Sequence, residues 1–500
     1  MGAGPAGLWA AWRAAEAGHQ VTVVERGAQL GGMAASLEVT GLRVDLGSHR
    51  LHPSTDPAIL DRLRTLLGDD LQCRSRHGRI RLAGRWVAFP LRTGDLLRNT
   101  PPRFALGAAR DALTGPFRRP RADTFAEVVR AGLGSTVAEE FYGPYVRKLW
   151  GVDADELSGE LARRRVSASG PADIARRLLR SARSGGPSFW YPRRGFGQIS
   201  EALAEAAVAA GADIRLSTEV VAIDPGDVDD PKRPARLGLA PSAPERLRGR
   251  RFGADSPPEG RFAGGAGSAG GVDVEVPGPG TGSEAVEAEL VWTTAPIAEL
   301  ACRSNPAPAP EALRAADRLQ HRGLVLVYLV SEGAPWTEFD AHYLPGADQL
   351  AARVSEPRNY RESADDPNDL TVLCAEVPAT VGDGTWTATD ADLAARLVDD
   401  LGRLGLPAVR PLEVRTVRLP RVYPLYRPGF ETDLADLERW LDVHRRVVSF
   451  GRQGLFVPDN THHALAMAEA AAHAVGPHGR FDHPAWARSR DAFRSHVVED

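Results

Sequence analysis

Gly2-Ala3-Gly4-Pro5-Ala6-Gly7 is a G-x-G-x-x-G turn, and the residues after it complete a βαβ unit. Its glycines have separate jobs. The first permits a tight turn out of a strand, the second lets backbone approach a pyrophosphate, and the third lets the next helix pack on the sheet with phosphates at its N-terminus. Leu8 to Ala17 continue as an Ala-rich helix, Gly18 stops it, and Gln20 to Val24 read as a buried parallel strand ending on Glu25-Arg26. The Glu25 carboxylate falls where an acid accepts both ribose hydroxyls of an adenosine, whereas an Arg there would suit a 2′-phosphate. The turn opens at Gly2, which leaves no room for the strand that should precede it. That strand is central in a doubly wound sheet and paired on both edges. The expectation is therefore a true start upstream, with Met1 standing for an apolar strand-ending residue.

A second copy of the pattern, Gly265-Ala266-Gly267-Ser268-Ala269-Gly270, lacks this context. It follows Arg261-Phe262 instead of an apolar strand and no helical period follows it, so it reads as flexible linker. At 500 residues, 43% apolar and 25% charged, the chain has material for two or more packed cores. A net charge of −4 offers no electrostatic case for a nucleic-acid partner. Cys73, Cys302 and Cys374 are too few and too scattered for a disulfide framework or a C-x-x-C site, so a reduced, cytoplasmic setting is expected. The longest aliphatic run, Leu324 to Val330, has the length of a strand, and no integral membrane segment or secretory leader is expected. Lys occurs only at Lys148 and Lys232, against an Arg-rich background that suggests a GC-rich genome. A Lys that persists there singles out Lys148 as a place where a compact ammonium is wanted, unless it survived by chance.

Three separated stretches look like one nucleotide-binding domain: residues 1–57, then 195–225 with 286–300, then 440–480. Within them Ser200 to Ala210 reads as helix, Ile214 to Ile223 as strand, Val447 to Phe450 as strand and Thr461 to Val475 as helix. Residues 58–194 and 301–439 would form a second, substrate-facing domain. Its first part is helical at Ala58 to Leu67 and Phe125 to Leu149, and its second alternates at Gly323 to Val330, Leu370 to Val377 and Leu412 to Leu419. Residues 226–285, rich in Pro, Gly, Arg and Ser, read as a disordered insertion. The fold class is thus α/β, a Rossmann-like domain whose first strand is missing, with an inserted α+β domain.

After Glu25 come Gly31-Gly32 and then Asp45-Leu46-Gly47-Ser48-His49-Arg50. Here the chain resembles the flavoprotein group of amine oxidases, protoporphyrinogen oxidases, carotenoid desaturases and UDP-galactopyranose mutases. Four further segments carry the resemblance. Tyr142 to Gly151 is similar to the Y-x-x-K-x-W-G stretch of the mutases, and Tyr191-Pro192 to Gly197 to the Y-P-x-G-G segment of the oxidases. Trp292 to Pro296 resembles the T-x-P loop, and Gly451 to Phe456 with Asp459-Asn460 the closing flavin motif. Met33 departs from the pattern, since amine oxidases usually have Arg there.

The resemblance implies FAD as cofactor. Gly2, Gly4, Pro5, Ala6, Gly7, Glu25, Arg26, Gly31 and Gly32 would hold its ADP half, with Val220 at the adenine. Gly47, Ser48, His49, Thr294, Gly451, Asp459 and Asn460 would lie along the rest. Independently, a helix starting near Asn460 would present its positive end to a reduced flavin, although an ordinary N-cap fits those residues as well. His49, Arg50 and Lys148 are the catalytic candidates. His49 could be a proton shuttle, a flavin anchor or a structural histidine, and Arg50 an anion holder or an interdomain ion pair. Tyr142, Tyr145, Trp190, Tyr191, Tyr423, Tyr426 and Arg427 are candidate cleft residues. Neither His462-His463 nor His49-x-x-His52 has the accompanying acids or thiolates of a metal site. With one dinucleotide fingerprint, the expected reaction is hydride transfer from a C–N or C–C unit of a small organic substrate to flavin N5. Oxygen or another acceptor would then reoxidise the flavin. The alternatives are a non-redox mutase acting on a nucleotide sugar, against which no clear Arg pair for a diphosphate is visible, and a flavin-binding paralogue without turnover.

Overall fold

The computed structural model describes residues 1–114, 118–166, 188–230, 232–242, 249–250, 284–333, 335–476 and 479–498. The architecture is mixed α/β, with a Rossmann-like domain assembled from distant stretches. Pro5–Glu16 is helical, with Pro at its first turn, where the missing N–H costs nothing. It buries Leu8, Trp9, Ala11 and Trp12 between the Gln198–Ala209 and Thr461–His473 helices. Thr22–Val24 pairs parallel with Asp213–Arg215, and Val291–Thr293 pairs parallel with Val447–Ser449. The Met1–Gly2 backbone lies between these two pairs. The Gly2 N–H donates to the Val24 carbonyl at 2.8 Å, and the Thr294 N–H donates to the Met1 carbonyl at 3.0 Å. A cavity of about 470 Å³ separates the facing edges at Val21–Val24 and Leu290–Trp292.

The second domain is built on an eight-stranded, mostly antiparallel sheet. Its order is 249–250, Pro411–Pro424, His321–Glu332, Leu370–Ala379, Arg353–Ser355, Ala341–Tyr343, Gly78–Leu82 and Arg85–Phe89. Strands from residues 78–89 and 321–424 therefore share one sheet. One face buries Val325, Val327 and Leu329 with Leu393, Leu397 and Leu401 of the Asp390–Arg403 helix. The opposite face buries Leu326 and Tyr328 against the Ser36–Val39 and Leu42–Asp45 hairpin of the nucleotide domain. The Tyr328 hydroxyl donates to the Asp45 carbonyl at 2.7 Å. This contact sets the two domains against each other along the edge of the site.

Three expectations are corrected. The strand expected over Ile214 to Ile223 is two strands, Asp213–Arg215 and Thr218–Asp224, separated by Ser217 at φ 50°. The first pairs with Thr22–Val24 and the second with Ala235–Pro241, so the chain must turn between sheets. Residues 226–285 are not wholly irregular, because Ala235–Pro241 pairs on both edges, with Thr218–Asp224 and with Glu284–Ala288. Its buried face is Ala235, Leu237 and Leu239. That period-two signal is short and partly carried by Ala, which is why composition hid it. The second G-x-G-x-x-G copy, Gly265 to Gly270, lies outside the described residues. Finally, the helical stretch expected from Phe125 to Leu149 is divided, with Phe125–Leu133 ending at Gly134 (φ +94°) and Gly143–Trp150 following a π-helical turn at Ala138–Tyr142.

Candidate functional site

At the Gly-rich turn, backbone packs on backbone. A Cβ on Gly7 would stand 2.0 Å from the Gly2 carbonyl oxygen, so only Gly fits. Gly31, at φ +102°, donates its N–H to the Ala3 carbonyl at 2.8 Å, which lays the Gly31-Gly32 pair across the turn. The Pro5–Glu16 helix has no side-chain cap. Its first N–H groups therefore face the cavity bordered by Gly4, Pro5 and Ala6, where phosphates would satisfy them. Glu25 accepts from the Ala3 N–H at 2.8 Å and from the Gly27 N–H at 2.6 Å, which fixes its carboxylate at the cavity wall. Arg26, Val220 and Thr294 line the same end. The Thr294 hydroxyl donates to the Met1 carbonyl at 3.2 Å. Arg303 donates to the Val220 carbonyl and pairs with Glu219 at 2.7 Å, two cavity residues that sequence reading did not single out.

From there one cavity of about 460 Å³ continues to the 47–50 segment. Gly47 turns at φ +93°. The Ser48 N–H donates to Glu376 Oε1 at 2.7 Å, and the Ser48 hydroxyl is hydrogen-bonded to that of Tyr360. His49 contacts the Leu46 carbonyl through Nε2 at 2.9 Å and stacks on Phe196, so that bond assigns its proton to Nε2. Arg50 pairs with Asp340 at 3.1 Å, donates to the Tyr343 hydroxyl at 3.2 Å and lies over the rings of Phe189 and Tyr360. Burial opposes the charge of Arg50, but Tyr360, Tyr343 and Asp340 outweigh it, and its pKa is raised.

Of the other candidates, Tyr145 and Tyr423 line this cavity, and burial pushes the Tyr423 phenol up. Lys148 does not. Its Nζ donates to the Leu344 and Ala351 carbonyls at 2.6 and 3.0 Å, beside a separate surface hollow, and burial depresses its pKa to about 8. Its helix points it away from the 47–50 segment because Val146, Leu149 and Trp150 take the inward face. Tyr191 and Tyr426 are buried struts, donating to Asp45 at 2.5 Å and to the Phe456 carbonyl at 2.8 Å. Trp190 is covered by Arg64, and Arg427 is paired with Glu156 at 3.3 Å. Tyr142 packs on Phe125 and Phe141.

The closing segment reaches the cavity as well. Gly451, at φ +79°, lies against Ala6 and Thr294. Asp459 and Asn460 line the wall, and Asn460 caps the Thr461–His473 helix in a capping box with His463. Asp459 is fully buried and is met by His496 Nδ1 at 2.7 Å and by Arg164 at 3.8 Å. Asp459, His463 and His496 thus converge from 37 residues apart, a grouping invisible in the sequence. Hydrogen bonds already engage the Nδ1 atoms of both histidines. Arg76, Arg165 and Arg452 all line the cavity, and Arg165 lies near enough to help burial lower the Arg452 pKa.

Residues 1–66 match the NAD(P)-binding Rossmann-like domain. No curated protein sequence matches the chain. Among solved structures, reduced UDP-galactopyranose mutase superposes with a TM-score of 0.74 at 18% identity, covering 100% of this chain and 98% of that one. The chain shares the fold of that structure. A protein of Exiguobacterium sp. 255-15 assigned as a protoporphyrinogen oxidase superposes at 0.66 and 19% identity, covering 94% and 97%. Cyclohexylamine oxidase of Brevibacterium oxydans IH-35A does so at 0.60 and 15%, covering 95% and 97%. No helix among the described residues is long and apolar enough to cross a membrane.

Proposed function

We propose that the chain is a FAD-dependent oxidoreductase acting on a small organic substrate. The observation that carries this reading is the continuity of one cavity from Glu25 and the Gly-rich turn to Ser48, His49 and Arg50. The residues present fit FAD. The uncapped helix N–H groups would meet its phosphates, the Glu25 carboxylate would accept from its ribose, and glycines whose Cβ atoms would collide leave room for the approach. When bound, FAD would supply a hydride acceptor at N5 for a C–N or C–C unit, with oxygen or another acceptor completing the cycle. The chain itself would orient and exclude. Arg50, held by Asp340 and Tyr343, keeps a fixed cation at the substrate end. His49 is oriented by its Nε2 contact to the Leu46 carbonyl and by stacking on Phe196. Tyr145, Tyr343 and Tyr423 wall that end against water. The test is the absorbance spectrum of the purified protein, followed by anaerobic mixing with amine, porphyrinogen and polyene substrates. Bleaching of a flavin band supports the reading, and an oxidised spectrum with every class overturns it.

A second reading, a non-redox mutase acting on a nucleotide sugar, is favoured by one observation. Arg165 lines the cavity wall near Arg452, whose own terminal N–H groups are engaged by the Pro458, Asp459 and Val422 carbonyls, so Arg165 is the cation that would meet a diphosphate. Sugar isomerisation that requires prior reduction of the protein would decide for it. A flavin-binding paralogue without turnover is the outcome if flavin binds and neither reaction occurs.

A further inference from the structure

We propose that the outer face of the Pro102–Thr114 helix is a contact surface for an anionic lipid bilayer. Arg103, Leu106, Arg110 and Leu113 are spaced three, four and three residues apart, which places them on one stripe of the helix. That stripe faces solvent. Leu106 is 72% exposed and Leu113 is 81% exposed, whereas Phe104 and Asp111 on the other side are buried at 7% and 5%. A single exposed leucine needs no explanation, but two on one line of a helix form an apolar ridge with no partner among the described residues.

The charge around that ridge is one-sided. Residues 92–121 hold seven arginines against two acids, Asp95 and Asp111, in a chain whose net charge is −4. Both acids are turned inward. Asp95 accepts from the Ala88 N–H at 2.6 Å and from Asn99 at 2.8 Å, and Asp111 accepts from the Thr136 N–H at 2.8 Å beside Arg118. Arg92, Arg98, Arg103, Arg110, Arg119 and Arg121 are exposed and in no ion pair among the described residues. Leucines entering the acyl boundary while guanidiniums stay at phosphate level would satisfy both features at once. A nucleic acid would match the arginines and leave the leucines wet.

The contact would be peripheral, and it would stand beside the site. On the inner side, Phe104 and Ala108 pack in a cluster with Val87, Phe141 and Tyr343, and Tyr343 lines the cavity. This inference is independent of the reaction.

The experiment is flotation of the full chain with vesicles of phosphatidylcholine alone or with about 30 mol% phosphatidylglycerol, at low and high salt. Binding to the anionic vesicles that weakens with salt is expected. Leu106→Ser with Leu113→Ser should reduce partitioning roughly tenfold or more, and Arg103→Gln or Arg110→Gln by about fivefold each. All four side chains are exposed, so unchanged melting curves verify folding. No binding to anionic vesicles overturns the proposal. So does binding that the leucine variants leave unchanged, or a preference for duplex DNA over vesicles.

Discussion

Glu376 accepts the Ser48 backbone N–H at 2.7 Å, joining two residues 328 apart in the chain. Arg353, directly opposite Glu376 across the ladder between Arg353–Ser355 and Leu370–Ala379, pairs with it at 2.7 Å and also donates to the Ser48 carbonyl at 3.3 Å. A carboxylate and a guanidinium from the second domain therefore hold both backbone polar groups of Ser48. The segment expected beside the flavin is clamped from outside its own domain. Glu376→Met should strand Arg353 and cost about 3–5 kcal/mol. The double variant Glu376→Met with Arg353→Met should cost less than the sum of the singles. Urea unfolding of the four proteins measures this, and simple additivity would remove the clamp.

Gly31→Ala should cost the protein its dinucleotide. A Cβ there would lie 2.8 Å from Ala35 Cα, at a backbone φ of +102° that L residues rarely adopt. Strain of about 1–3 kcal/mol is expected, and the flavin retained on purification should fall roughly tenfold or more. Gly18→Ala is the control, since Gly18 has φ +87° but open space around its Cβ position. It should lower the melting temperature while flavin content is kept.

His342 should make the protein sensitive to acid. Burial, then the Arg79 charge, depresses its pKa from 6.5 to about 3. As pH falls from 6.5 towards 3, the unfolded chain binds a proton that the folded chain refuses, so stability declines by about 1.4 kcal/mol per pH unit from this group. His342 sits against the rings of Trp86, Trp336 and Phe339, with Nε2 buried and unpartnered. His342→Phe should therefore be well tolerated at pH 7 and should flatten the acid limb. Equal pH profiles for variant and parent would refute the assignment.

Arg165→Gln separates the two reaction readings. Arg165 lies on the cavity wall over the Trp150 ring. Loss of a charge-assisted contact to a diphosphate should raise KM for a nucleotide sugar about tenfold or more, with kcat less affected. For an uncharged amine the KM should stay within about twofold.

Much of the nucleotide-binding half is legible in residue order because its chemistry is local. The Gly-rich turn, the Gly31-Gly32 pair and an acid at the next strand end all fall within Gly2 to Gly32, and residues of each line one cavity. The Asn460 cap is legible for the same reason. Lys148 stands out by its rarity and by its place in the Y-x-x-K-x-W-G-like stretch, neither of which fixes direction, and its ammonium serves two carbonyls elsewhere. Arg76, Arg165, Arg353, Tyr343 and Glu376 carry no motif. Each is an ordinary strand, helix-end or loop residue until the sheet is assembled.

The sequence by itself determined that a Rossmann-like unit opens the chain and that an acid, Glu25, ends its next strand. These follow from steric and hydrogen-bonding rules acting over a few residues. Only the tertiary structure decided which side chains line the cavity and that Glu376 and Arg353 clamp Ser48. Those relationships rest on contacts between distant segments. Such contacts depend on strand register, and a one-residue slip reverses which face a side chain occupies.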